Sequence, residues 1–251
     1  MRQTESVGML DWGIGGIECY RLFKQAHPHV PVLYWSDTGS IPYGKLSRPA
    51  LSQRVAQVVK CLVERGATSM IFACNAASTA LPTLQLAVPC TGVIEHAVRL
   101  IPADFRGQLG IVGGARTIRS GLHRRALVRP GLRVVARIAQ PLSAHIEAGS
   151  TDTDLYRQDL QRIMAPLSDV DALLLACTHY AAVGPDLRAF AKRATLLDPV
   201  PALLDFVSRE WSLPRNDAPD RFVTTGDPVA MRQAAARVWG VTLDACEPWA
   251  A

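Results

Sequence analysis

An apolar run that closes on Ala-Cys and a small polar residue occurs twice in this chain, and the repeat constrains the fold more than any other feature. Met70-Ile71-Phe72-Ala73-Cys74-Asn75-Ala76-Ala77 is echoed by Leu173-Leu174-Leu175-Ala176-Cys177-Thr178-His179-Tyr180, with the two cysteines about 103 residues apart. Short apolar runs bounded by polar residues read as strands buried in a parallel sheet. The carboxyl end of such a strand is where open α/β sheets bind their ligands. A second echo reinforces the first: Val7-Gly8-Met9-Leu10 with its glycine turn is matched by Leu109-Gly110-Ile111-Val112 and Gly113-Gly114, displaced by about 102 residues. Two nearly equal offsets imply an internal duplication of α/β units, each half offering one thiol to a shared cleft.

Helical signals alternate with these strands, which predicts a mostly parallel sheet in each half. Gly13-Ile14-Gly15-Gly16 leads into a helix over Ile17–Ala26 that Pro28 closes, and Val32–Trp35 forms the next strand. A loop through Asp37 and Pro42-Tyr43-Gly44 precedes a helix over Leu51–Arg65, ended by Gly66. A further helix is predicted over Ala202–Trp211, followed by a Pro- and Asp-bearing linker and the stretch Phe222–Asp227. The glycine turn lacks Gly-x-Gly-x-x-Gly spacing, so it reads as a tight turn presenting backbone amides to a small anion, and a dinucleotide site is not expected.

Charge and cysteine usage narrow the class. The net charge of +5 comes mainly from arginine, with Arg116, Arg119, Arg124, Arg125, Arg129, Arg133 and Arg137 the densest stretch. These are expected on solvated helix faces, and no nucleic-acid partner is required. Six cysteines without a CxxC or short even spacing argue against a disulfide framework or zinc site and for a reducing, cytoplasmic setting. The start, Met1-Arg2-Gln3-Thr4-Glu5-Ser6, has no apolar core of a leader, and no run reaches membrane-spanning length.

Two thiols facing one another across a cleft are what a cofactor-free racemase needs. The α-proton of an amino acid is weakly acidic, and pyridoxal enzymes supply an electron sink through a lysine. The four lysines here sit in no context that suggests one. In a two-base scheme a thiolate removes the proton from one face and a thiol returns another to the opposite face. A free thiol pKa of about 8.5 suits that work when neighbours tune it. Asp11 would assist near Cys74 and His179 near Cys177, while Asn75 and Thr178 offer donors for a carboxylate. Cys19, Cys61, Cys90 and Cys246 read as small apolar filler. His27-Pro28-His29 reads as surface, and no metal is expected.

Taken together, these residues resemble the glutamate racemase family within the wider aspartate/glutamate racemase group. The resemblance rests on Gly8–Gly16, Asp37 with Pro42-Tyr43-Gly44, Ala73–Ser78, Thr117–Ser120, Glu147-Ala148-Gly149, Cys177–Tyr180 and Thr224–Asp227. It implies an α/β fold of two pseudo-symmetric domains with mostly parallel sheets and the site between them. The first domain would comprise residues 1–95 plus 212–251 and the second residues 96–211. It further implies an isomerase that needs no cofactor and forms a homodimer. Its product would be D-glutamate for peptidoglycan of the cell wall. By the same resemblance Cys74 and Cys177 are the bases, assisted by Asp11 and His179 with Glu147 beside the latter. Asn75, Thr117 and Thr178 would hold the amino acid head, and Pro42, Tyr43 and Gly44 the distal carboxylate.

Two positions depart from the family pattern. Trp12 stands where serine usually follows the first Asp, and Ala76 where threonine usually follows Cys-Asn. Both usual hydroxyls belong to the substrate shell. Two further readings therefore stand beside glutamate racemisation: the same chemistry on a different amino or carboxylic acid, and a non-catalytic binding protein that kept the fold.

Overall fold

The computed structural model describes residues 4–249; residues 1–3, at the head of the amino-terminal stretch read above, and 250–251 lie outside the described residues. The first half runs β1 (Ser6–Asp11), α1 (Ile17–Ala26), β2 (Val32–Ser36), α2 (Arg48–Val63), β3 (Ala67–Phe72), the single-turn α3 (Asn75–Ser78), β4 (Cys90–Gly92) and α4 (Val93–Arg99). The second runs β5 (Gly107–Gly113), α5 (Ala115–Ser120), α6 (Leu122–Ala126), β6 (Leu132–Ile138), α7 (Gln140–Ala148), α8 (Asp154–Met164), β7 (Ala172–Ala176), α9 (Gly184–Phe190) and β8 (Thr195–Leu197). The chain ends with α10 (Pro199–Glu210), β9 (Arg221–Thr224), α11 (Pro228–Trp239) and the two-residue β10 (Glu247–Pro248).

Two parallel sheets result, in the orders β10-β9-β2-β1-β3-β4 and β6-β5-β7-β8. The first four strands of each half share one order, in which the leading strand is flanked by the second and third and the fourth lies outside the third. That shared order is the physical form of the duplicated sequence. β1 and β7 are buried at every residue, because helices cover both faces and an alternating polar pattern has no solvent to meet. β9 and β10 return to the first sheet beside β2, and α10 buries Val200, Leu203, Leu204 and Val207 against the same core as Val7, Met9 and Phe23.

Local chemistry sets the helix ends. α1 spans the predicted residues. α2 starts three residues earlier than its apolar spacing suggests, because the Ser47 hydroxyl caps the Ala50 amide at 3.3 Å and Pro49 suits the first turn. α10 likewise starts at Pro199, where the Asp198 carboxylate accepts from the Val200 amide at 3.0 Å, and it stops one residue short of Trp211. Gly66 takes φ +102° just after α2, a conformation that side chains rarely adopt.

Strand register brings the thiol segments to equivalent places. Leu10 pairs with Phe72 and Gly113 with Ala176, so Cys74 and Cys177 both emerge at the carboxyl edge beside the end of their sheet's leading strand. Among the described residues no helix is long and apolar enough to cross a membrane, and no cluster of His, Cys, Asp and Glu has the arrangement of a metal site.

Candidate active site

A cavity of about 920 Å³ opens where the carboxyl edges of the two sheets meet. Cys74, Asp11, Trp12, Asn75 and Ala76 line it from the first sheet's side, with the loop Pro42, Tyr43 and Gly44. Cys177, Thr178, His179, Glu147 and Thr117 line it from the second. Every candidate residue from the sequence therefore borders one space.

Cys74 lies two residues beyond the end of β3, with α3 starting at the next residue. Burial pushes its thiol well above the ordinary thiol pKa, and the negative charge of Asp11 adds to the rise. Backbone hydrogen bonds from Ala77 and Trp12 pull the other way, and a charge on Cys177 raises it again. A negative charge on Cys177 thus disfavours ionisation of Cys74. The Asp11 carboxylate is 1% exposed and accepts from the Thr178 hydroxyl at 2.9 Å and the Gly13 amide at 3.2 Å.

Cys177 lies 3.7 Å from His179 Nδ1, and His179 Nε2 lies 2.6 Å from Glu147 Oε1. Burial works to lower the His179 pKa, but the hydrogen bonds and charges of Cys177 and Glu147 outweigh it and hold the imidazole well above its usual value. For Glu147, burial favours the neutral acid, yet its bond to His179 and the Ile14 amide keep the carboxyl below its usual range. The chain Glu147–His179–Cys177 is thus a fixed proton-holding array with one end at a sulfur.

The glycine turn after β1 takes its place in this array. Its Ile14 amide donates to Glu147 Oε1 at 2.9 Å, so the anion its backbone meets is a carboxylate of the other half. A Cβ on Gly13 would collide with Glu147 Oε1, and one on Gly15 with His179 Nδ1 and Thr178 Oγ1. Close passage of backbone past these side chains is what the glycines permit.

Asp37 is wholly buried beneath the Pro42–Gly44 loop and outside the cavity wall. It accepts from the Tyr43 hydroxyl at 2.8 Å, from Arg54 at 2.8 and 2.5 Å, and from Thr225 at 3.0 Å. Its carboxyl is held below the usual range: burial opposes this, while Arg54 and Tyr43 prevail. The Tyr43 hydroxyl is thus committed to Asp37 and anchors its loop.

Asn75 and Trp12 are among the side chains in the wall with unspent hydrogen-bonding capacity. Both polar atoms of the buried Asn75 amide lack a protein partner, as does the indole N–H of Trp12. Such groups are costly unless a ligand meets them. Trp12 and Ala76 pack against the same apolar cluster as Cys74 and Ala77.

The arginine expectation needs correction. Arg116 and Arg119 line the cavity from α5, and Arg133 and Arg137 lie on the strand β6 rather than on a helix. A strand at the sheet edge carries arginine as readily as a solvated helix face, and a count of charges does not tell them apart. Lys45, Gln140 and Ser143 also border the cavity and lay in no recognisable motif, although Lys45 directly follows the Pro42–Gly44 loop. Arg237 and Trp239 of α11, also missed, donate to the carbonyls of Glu147 and Ile14, each at 2.8 Å.

Comparison with known proteins bears on the family and the fold. The family model described as Asp/Glu/Hydantoin racemase matches residues 18–207. A glutamate racemase from Stutzerimonas stutzeri is 30% identical over 247 residues, covering 93% of this chain and 94% of that protein. Among solved structures, a glutamate racemase isoform from Bacillus anthracis superposes with TM-score 0.88 at 26% identity, covering 99% and 98% of the two chains. The glutamate racemase from Thermus thermophilus gives 0.86 at 28% identity, also covering 99% and 98%.

Proposed function

The chain belongs to the Asp/Glu/Hydantoin racemase family, and from that premise we propose that it inverts an acidic amino acid, glutamate in the first instance, by passing protons between Cys74 and Cys177. The observation that carries the reading is the position of the two sulfurs, at equivalent strand ends on opposite walls of one cavity. A thiolate on one wall takes the α-proton, and the electron pair passes onto the α-carbon and its carboxylate. The thiol on the other wall gives its proton to the opposite face. The product is the enantiomer, with thiol and thiolate exchanged, and the enzyme then runs in the reverse sense.

In this reading the His179 imidazolium balances negative charge at Cys177, with Glu147 fixing the ring. Asp11, buried beside Cys74, favours the protonated thiol there. The unpartnered amide of Asn75 receives the amino acid head, together with Thr117 and Thr178. The names of the relatives and the retained Pro42-Tyr43-Gly44 loop support glutamate and, through its D-enantiomer, a role in peptidoglycan. A cytoplasmic homodimer completes the proposal, and light scattering tests the dimer.

Loss of the α-proton signal in heavy water, followed by NMR, tests the chemistry. Cys74→Ser and Cys177→Ser should each abolish racemisation of both enantiomers. Full racemisation in either variant would overturn the two-base reading.

A further inference from the structure

The cavity's two carboxylates are already engaged, Asp11 by Thr178 and Gly13, and Glu147 by His179 and Ile14. Its lysine and arginine side chains meet no carboxylate of the described residues. Lys45, Arg116 and Arg119 border the same space, and none of them enters an ion pair among the described residues. Lys45 and Arg119 are exposed, which puts this charge at the mouth. Arg116 reaches across the mouth from α5, donating through Nη2 to the Leu46 carbonyl just beyond Gly44. Its Nε is buried without a partner.

Near the thiols the wall has the opposite character. Trp12 and Ala76 line the cavity there, and both pack onto the apolar cluster around Cys74. The indole fills space there and the alanine methyl offers no hydrogen bond. Neutral donors, the Asn75 amide and the Trp12 indole N–H, are therefore what the wall offers beside Cys74, while the lysine and arginine charge gathers at the mouth. A cavity of about 920 Å³ has room for a ligand that bridges the two regions.

We propose that the site favours an acidic amino acid with a longer side chain than glutamate, its head at Asn75 between the thiols and its distal carboxylate between Arg116, Arg119 and Lys45. The proposal rests on the racemase reading and names its substrate class. A planar guanidinium matches a carboxylate in geometry as well as charge. The apolar methylenes of the longer chain lie along Trp12.

The test is α-proton exchange in heavy water with L-glutamate, L-2-aminoadipate and L-2-aminopimelate, measured for the wild type, Arg116→Ala and Arg119→Ala. At least one longer acid should exceed glutamate in kcat/KM by about tenfold, the scale of one well-placed methylene. Each arginine variant should lower the ratio of longer acid to glutamate by roughly tenfold, chiefly through KM, as loss of a charge-assisted bond predicts. Arg119→Ala, whose side chain is exposed, keeps the test open if Arg116→Ala fails to fold. Exchange at glutamate with neither longer acid faster overturns the inference and leaves the racemase reading intact. Equal losses on all substrates in the arginine variants also overturn it. No exchange at any acid, from folded and reduced protein, removes the racemase reading and the inference with it.

Discussion

The hydroxyl of Thr178 donates to the carboxylate of Asp11 at 2.9 Å, joining the residue next to one candidate base to the strand end that flanks the other. The bond is buried and spans 167 positions of sequence. It couples the two walls of the cavity directly. Thr178→Val keeps the shape and deletes the donor, leaving a buried carboxylate oxygen without its partner. A stability loss of about 1–3 kcal/mol is expected in denaturant melts, with a fall in kcat for both enantiomers. An unchanged midpoint and unchanged kcat would show that the bond does not join the halves.

Gly15→Ala tests the close passage of the glycine turn. The added methyl would lie 2.6 Å from Thr178 Oγ1 and 2.7 Å from His179 Cε1. The ring beside Cys177 must move, and misplacement of a catalytic group by about 1 Å costs on the order of 100-fold in rate. Steady-state racemisation should fall by that order while far-UV circular dichroism stays native.

Glu147→Gln should shift the pH dependence in a defined direction. The folded pKa of His179 lies above its unfolded value of about 6.5. Its protonation therefore contributes stability that is complete below the unfolded pKa and lost as pH rises through the folded pKa. Removing the Glu147 charge lowers the folded pKa, so the alkaline limbs of kcat/KM and of the melting temperature should both move to lower pH. The Glu147 pKa is depressed on folding, so its contribution is present above its unfolded pKa and lost as pH falls through the folded one. The variant should lose that acid-side dependence. Parallel pH profiles of wild type and variant decide the matter.

His123 gives a second pH signature, remote from catalysis. Burial pushes its pKa down to about 4, and its Nε2 is buried without a partner. The folded state keeps the ring neutral while the unfolded chain protonates near 6.5. Stability is therefore full above about pH 6.5 and declines as pH falls toward 4, by up to about 3 kcal/mol. His123→Phe should flatten that decline in melts between pH 7 and 4. An equally steep decline in the variant would place its cause elsewhere.

What the sequence exposes of this molecule is what neighbours along the chain decide. The strands around Met70–Phe72 and Leu173–Ala176 are legible because apolar runs followed by small polar residues carry their own address in an α/β sheet. The same local logic brings Asp11, Cys74 and Cys177 to light, since each lies at or just beyond a strand's end. The illegible parts depend on residues far apart. The Glu147 carboxylate meets the Ile14 amide across 133 positions, and Trp239 reaches the Ile14 carbonyl across 225. Nothing near Arg237 or Trp239 in sequence announces those contacts. Arg116 reads as one arginine among many until α5 and the Pro42–Leu46 loop are seen on opposite sides of one opening.

The placement of β9 between β2 and β10 dictates an order of events during synthesis. β2 leaves the ribosome with one edge vacant, and its partner Arg221–Thr224 emerges only after the whole β5–β8 sheet. The later sheet is contiguous in sequence, so all of its strands are made before β9, the neighbour that β2 still lacks. Asp220 then fastens the arrears, binding Tyr20 at 2.8 Å, Lys24 at 3.1 Å and the Val32 amide at 2.9 Å. The half of the molecule that is translated first is thus the half whose strands are all available last, and without β9 its β2 edge is of the kind that invites pairing with another chain.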